Sequence, residues 1–208
     1  MMEHYLIIGA GGHAKIVLDI LLLCGCQVDG LTDARAKGDC MGYPILGDDS
    51  VLEKRGGGYA AMGIGNVGHP AVRERAYAYA RECGFVFPNV IHPSAVVSRF
   101  AVLEDGIVCG AEAVIAPGAS VGSLAIINTG AVVEHDAVIA RGVHIAPRAG
   151  VMGAATVGAG SFCGAGSIIA PGIHVGANCI IGAGSVVLSD IPDDVVVVGT
   201  PARIIKQR

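Results

Sequence analysis

From Val97 onward an aliphatic residue returns at every sixth position. The series runs Val97, Leu103, Cys109, Ile115, Val121, Ile127, Val133, Ile139, Ile145, Val151, Val157, Cys163, Ile169, Val175, Ile181 and Val187. No insertion breaks it, and its two cysteines are small residues of the buried type. Four residues after these positions the side chain is usually small, as at Ala101, Ala113, Ala119, Ala125, Ala131, Ala137, Ala149, Ala155, Ser161, Ser167, Cys179 and Ser185. A period of six suits neither a helix nor a simple meander. It suits a chain that turns a corner every six residues, each short side pointing one small and one aliphatic residue inward. Three sides close a triangular coil, and successive coils stack as parallel strands. The spacing predicts a little over five coils, a rise of about 25 Å at the usual strand separation. Glycine-rich corners such as Gly158–Gly160 and Gly164–Gly166 supply the turns.

The residue between the two inward ones faces out, yet it reads Val102, Val108, Val114, Ile126, Val132, Val138, Ile168, Ile180 and Val186. Apolar outward stripes of this extent mark an interface. They are met either by other copies of the chain or by its own N-terminal part.

That part follows a different pattern. Tyr5–Ile8 reads as a short buried strand, followed by Gly9-Ala10-Gly11-Gly12-His13-Ala14 and an apolar helix to about Cys24. A second strand near Val28–Leu31 ends at Thr32-Asp33. A third, Ala60–Ile64, leads through Gly65-Asn66 into a helix of about Pro70–Gly84. Glycines at the first turn let backbone N–H groups approach a phosphate at the helix N-terminus, and Asp33 falls where a ribose-binding acid would stand. The segment is too short for a complete dinucleotide fold, so it predicts an α/β half-Rossmann domain over residues 1–88. The all-β parallel coil, residues 89–208, follows it.

Composition narrows the chemistry. Thirty-two glycines among 208 residues, interleaved with aliphatics, indicate ordered backbone geometry rather than a linker. A net charge of −4 and scattered basic residues exclude general attraction to nucleic acid or anionic membranes. Seven cysteines without CxxC spacing read as reduced thiols. The apolar stretch Ile16–Cys26 is too short to cross a bilayer, and no signal peptide precedes the first strand, so a cytoplasmic protein is expected.

Four motifs together carry a family resemblance. They are Gly-Ala-Gly-Gly-His at 9–13, Gly-Ile-Gly-Asn at 63–66, Ile-His-Pro-Ser-Ala at 91–95 and Asn-Thr-Gly-Ala-Val-Val-Glu-His-Asp at 128–136; Val-Gly-Thr-Pro-Ala-Arg at 198–203 adds to them. The chain resembles the hexapeptide-repeat sugar O-acyltransferases, which include sialic acid O-acetyltransferases and enzymes that N-acetylate UDP-4-amino-4,6-dideoxy sugars. The resemblance implies a left-handed coil, contrary to the usual right-handed crossover, and a homotrimer packed prism against prism. It also implies acetyl-CoA as co-substrate, lying between protomers, and a UDP-sugar near Gly11, Gly12, His13, Thr32, Asp33 and Gly65. Where many relatives end the second strand with two acids, this chain has Thr32-Asp33.

Acetyl transfer needs a base for the nucleophile's proton and a donor for the developing oxyanion. His135 lies two residues past inward Val133, hence at a corner, and the resemblance makes it the proton acceptor. The neighbouring carboxylate of Asp136 raises its basicity. Residues eighteen apart stack, which puts Gly153 and its N–H one coil beyond His135. By resemblance His144, in an outward slot, contacts acetyl-CoA. Ala165 and Ala183 share another eighteen-residue line, along which pantetheine would follow backbone amides. Asn128 is expected to help orient the site. Direct transfer needs no acyl-enzyme, and the cysteines in inward slots belong to the core.

The expected reaction is acetylation of the 4-amino group of a UDP-linked sugar for a surface glycan pathway, with O-acetylation as the alternative. A zinc hydrolyase would need three converging imidazoles, and His135, His144 and His174 lack that arrangement; no metal is expected. A sugar-nucleotide sensor would bind without turnover. A nicotinamide-dependent dehydrogenase would need a second nucleotide half, for which the repeat leaves no room.

Overall fold

The computed structural model describes residues 4–208, so the first three residues of the expected N-terminal domain lie outside it. The chain divides into two compact units. One holds the residues up to Gly65 with Ala71–Pro93; the other holds Asn66–Pro70 with Ser94–Arg208.

In the first unit, β1 (His4–Ile8), α1 (Gly12–Leu23), β2 (Gln27–Thr32) and β5 (Gly58–Met62) follow the expected order. Leu6, Ile7 and Ile8 are fully buried, and α1 buries Ala14, Val17, Leu18 and Leu21, spaced by three and four along one helical face. β1 pairs in parallel with both β2 and β5. Three short elements escape the pattern: β3 (Asp39–Cys40) with β4 (Tyr43–Pro44), α2 (Ser50–Arg55), and the edge strand β6 (Phe85–Val86). Two-residue strands carry too little alternation to be read. The four-stranded sheet has the order β2-β1-β5-β6, half of a doubly wound fold. The helix α3 (Pro70–Glu82) turns Arg73, Ala76 and Ala80 inward, and the Arg73 guanidinium donates to the Ile64 carbonyl at 2.8 Å.

The second unit is a parallel β-solenoid of about six turns. Its two-residue strands form three sheets whose partners stand eighteen residues apart. One face runs Val114, Val132, Gly150, Ile168, Val186. A second runs Val102, Ser120, Val138, Thr156, His174. A third runs Val108, Ile126, His144, Phe162, Ile180. The aliphatic series from Cys109 to Val187 is buried throughout, and so are the small residues from Ala113 to Ser185 named above. The coil outlasts the six-residue period. Ile191 bridges Val175 and Val197 pairs with Ile181, sixteen residues on rather than eighteen. A hairpin of Val195–Gly199 and Ala202–Gln207 then ends the stack.

Two steric demands explain the glycines. Taken every six residues from Gly106 to Gly184, each corner has φ between +54° and +77°, the left-handed region. Gly158 meets a different demand: a Cβ there would lie 2.5 Å from Gly176 C and Ala177 N, backbone atoms of the next coil that cannot yield. Gly158→Ala should therefore cost about 2 kcal/mol and lower Tm by about 4–8 °C, measured by calorimetry. A fall no larger than that of Gly184→Ala, where a Cβ meets nothing within 4 Å, would contradict this.

Candidate active site

The corner between the first two faces holds the residue expected to act as the base. His135 follows the strand Val132–Val133, and the next residue, Asp136, adopts φ +58°. That turn brings an Asp136 carboxylate oxygen to 2.9 Å from His135 Nδ1, with both side chains about two-thirds exposed. Nδ1–H donates to the carboxylate, which leaves the Nε2 lone pair free to accept a proton. The hydrogen bond to Asp136 raises the His135 pKa above its ordinary value; desolvation opposes it, and the charges of Asp136 and Glu134 add to it.

Gly153 lies one coil on, as the spacing requires. A methyl group there would stand 2.7 Å from both Cε1 and Nε2 of His135, so the ring rests over the glycine. The corner N–H at this position of the hexad falls outside the sheet ladders. At Ser123 it donates to Glu104, at Thr129 to Asn128 Oδ1, at His135 to Glu134 and at Ala177 to Asp193. At Pro117, Pro147 and Pro171 there is none. Among the described residues the N–H groups of Ala111, Gly153, Ala159, Ala165 and Ala183 make no hydrogen bond. Ala165 and Ala183 are exposed, on the other edge of the Val114–Val186 face from His135.

His144 occupies the outward slot expected for it, but its ring is buried, only 7 % exposed. Its Nδ1–H donates to the Asn66 carbonyl at 2.5 Å, and Nε2 accepts from the Asn128 amide at 3.0 Å. Asn128 Oδ1 in turn accepts the Thr129 N–H at 2.8 Å, which sets the amide's orientation. Asn66, fully buried, donates to the carbonyls of Gly142 and Gly160. Sequence reasoning treated Asn66 as a turn residue and missed this. His135, His144 and His174 lie on an edge and two different faces, so their imidazoles do not converge within one chain. Among the described residues no three His, Cys, Asp or Glu side chains group for a metal. Burial pushes the thiols of Cys109 and Cys163 up to about 12, unsuited to a nucleophile.

In the first unit the glycine turn opens α1. Gly9 packs against Ile64, where a Cβ would meet Cγ1 at 2.7 Å, but at Gly11 and Gly12 a Cβ would meet nothing. The first turn of α1 has no side-chain cap and no acidic residue, and its Ala14 N–H donates to the Gly11 carbonyl at 3.1 Å. Gly65 lies beside His13, with an added Cβ 3.4 Å from the His13 Cβ. Asp33 accepts from the N–H groups of Ala10, Arg35 and Ala36. The bonds from Ala36 and Arg35 hold its pKa below the ordinary value. Thr32 is fully buried, its hydroxyl donating to Asp49 at 2.7 Å. It props the loop and does not face solvent.

Residues 5–80 match the family model described as the PglD N-terminal domain. Over its length the chain is similar to PerB from Caulobacter crescentus in complex with CoA and GDP-perosamine (39 % identity, 99 % of each chain covered, TM-score 0.93). It is also similar to the acetyltransferase domain of PglB from Neisseria gonorrhoeae FA1090 in complex with acetyl coenzyme A (32 %, 99 % of this chain and 100 % of that one, TM-score 0.92). WeeI from Acinetobacter baumannii AYE, 23 % identical over 99 % of this chain and 100 % of that one with a TM-score of 0.87, shares the fold. The solenoid is thus the left-handed parallel β-helix of these proteins. No curated protein sequence matches the chain.

Proposed function

The chain belongs to the hexapeptide-repeat family of sugar acetyltransferases, and we propose that it moves acetyl from acetyl-CoA to the amine of a nucleotide-linked amino sugar. The observation that carries this reading is the His135–Asp136 hydrogen bond beside the open N–H of Gly153. His135 Nε2 takes the amine proton as nitrogen attacks the thioester carbonyl, and the Gly153 N–H stabilises the resulting oxyanion. Collapse expels the CoA thiolate, and no covalent enzyme intermediate forms.

The open N–H groups of Ala165 and Ala183 suit the amide-bearing pantetheine arm. His135 stands exposed on an edge, and the cavity of about 560 Å³ found in this unit is lined by His69, Asn178, Ile180, Lys206 and Arg208, away from it. A second protomer would supply the missing wall. The apolar outward residues Val96, Val102 and Val138, all well exposed, support packing as a homotrimer. Light scattering should give three times 20.9 kDa. Among the described residues no helix is long and apolar enough to cross a membrane. The seven cysteines, without paired spacing in the sequence, support a cytoplasmic site of action.

For the acceptor, GDP-perosamine in the PerB complex puts a GDP-linked amino sugar beside the UDP-linked one expected from sequence. Thiol release from acetyl-CoA is to be followed with both, and with hydroxyl sugars and free amino sugars. Release confined to a nucleotide-linked amine is the expected result. Release with hydroxyl acceptors alone would make the enzyme an O-acetyltransferase, and release with none would leave a binding module. The sugar nucleotide's phosphates are assigned to Gly11 and Gly12. Gly11 has φ −80° and open space around its Cα, so Gly11→Ala should keep Tm. Its KM for the sugar nucleotide should rise about tenfold, the equivalent of about 1.4 kcal/mol. An unchanged KM would remove the turn from the binding site.

A further inference from the structure

We propose that Gly118 is a positioning residue for acetyl transfer: its missing side chain leaves the space that lets the Asp136 carboxylate reach His135. The inference rests on the reading of His135 as the base. Gly118 occupies the corner one coil before Asp136, and both have left-handed backbone, φ +77° and +58°. That backbone does not by itself call for glycine here. Glu112, Leu124, Asp136, Arg148, Ala154 and Asn178 all carry side chains at the same corner position with φ between +54° and +61°.

What sets Gly118 apart is the space above it. At Gly172, on the same edge, an added Cβ meets nothing within 4 Å. At Gly118 it would fall on Asp136 Oδ1, with Asp136 Cγ at 3.4 Å and N at 3.5 Å. The Asp136 N–H donates to the Pro117 carbonyl at 3.3 Å, which draws the residue down onto the preceding coil. One carboxylate oxygen therefore rests on Gly118 while the other accepts from His135 Nδ1 at 2.9 Å. Gly160 beneath Asn178 shows the same stacking, with an added Cβ 2.9 Å from Asn178 Oδ1. Only at Gly118 does the covering side chain hold the base. A methyl group at 118 turns the carboxylate away, and the ring then loses both its fixed tautomer and its orientation.

The acidic groups acting on the ring are Asp136 and Glu134, so a shift traced to Gly118 can be separated from Glu134, which it does not touch. The test is an NMR titration of the full-length protein labelled in histidine, in wild type, Gly118→Ala, Asp136→Asn and Gly172→Ala, with pH profiles of kcat/KM. In Gly118→Ala the His135 midpoint should fall to that of Asp136→Asn and kcat should drop about tenfold, with both KM values unchanged. Gly172→Ala should match wild type. A His135 midpoint left at the wild-type value in Gly118→Ala overturns the proposal, as does lost activity at every pH without movement of the midpoint. Should Gly118→Ala not fold, Gly118→Ala/Asp136→Ala should fold, since the carboxylate is gone; a double variant that also fails overturns the proposal. Full activity in His135→Ala would instead sink the underlying reading, whatever the titration shows.

Discussion

His135→Ala should lower kcat by about 10²–10⁴-fold, the range for loss of a positioned general base, while the coil should keep its Tm. The fold should not register the change because the side chain is about two-thirds solvent-exposed. The chemistry should register it because Nδ1 is committed to Asp136 and Nε2 alone is left to accept the amine proton. The pH profile gives an independent reading. Asp136 raises the His135 pKa, so the neutral ring, and with it kcat/KM, is lost as pH falls through that raised value. Asp136→Asn removes the charge that favours the imidazolium and should move this acid limb to lower pH, with a smaller loss of kcat. A kcat for His135→Ala within tenfold of wild type would remove the residue from the role.

Gly153→Ala should reduce kcat by about 10²-fold, the cost of misplacing a reacting group by about 1 Å. The added methyl would stand 2.7 Å from Cε1 and Nε2 of His135, well inside van der Waals contact. The imidazole is the freer partner and swings outward, taking Nε2 off the line of the attacking amine. The N–H of residue 153 survives the substitution, so the loss would report the position of the base rather than deletion of the oxyanion donor. Because the ring can move into solvent, Tm should change by less than in Gly158→Ala, where the obstructing atoms are backbone. Steady-state kinetics beside calorimetry check both statements. Unchanged kcat would mean that the ring's place over Gly153 is irrelevant to the reaction.

Much of this could be read along the chain. A six-residue alternation of Val/Ile with Ala/Ser leaves one solution for burial, a three-sided coil, and eighteen-residue stacking follows from it. That arithmetic alone places Gly153 one coil from His135. Other features were hidden because they depend on residues far apart in sequence. Asn66 is 76 residues from Gly142 and 78 from His144, and no periodicity links a turn at 65–66 to a slot in the coil. An outward slot was accordingly read as open, whereas His144 is buried. Thr32 and Asp33 likewise gave no sign in sequence that Asp49 and the amides of Ala10, Arg35 and Ala36 would take up their oxygens. The last turn of the coil was missed because Ile191 and Val197 fill inward slots after sixteen residues, off the period.

The sequence by itself determined the half-Rossmann unit, the coil with its inward and outward slots, and the stacking of His135 on Gly153. Each is set by local periodicity, where burying apolar side chains admits one arrangement. Only the tertiary structure decided which polar atoms were left over for chemistry. Hydrogen bonds are short and directional, and whether Asp136 reaches His135, whether Asn66 seals His144, and whether the N–H groups of Gly153, Ala165 and Ala183 stay open depends on ångström-scale contacts between coils that no pattern along the chain records.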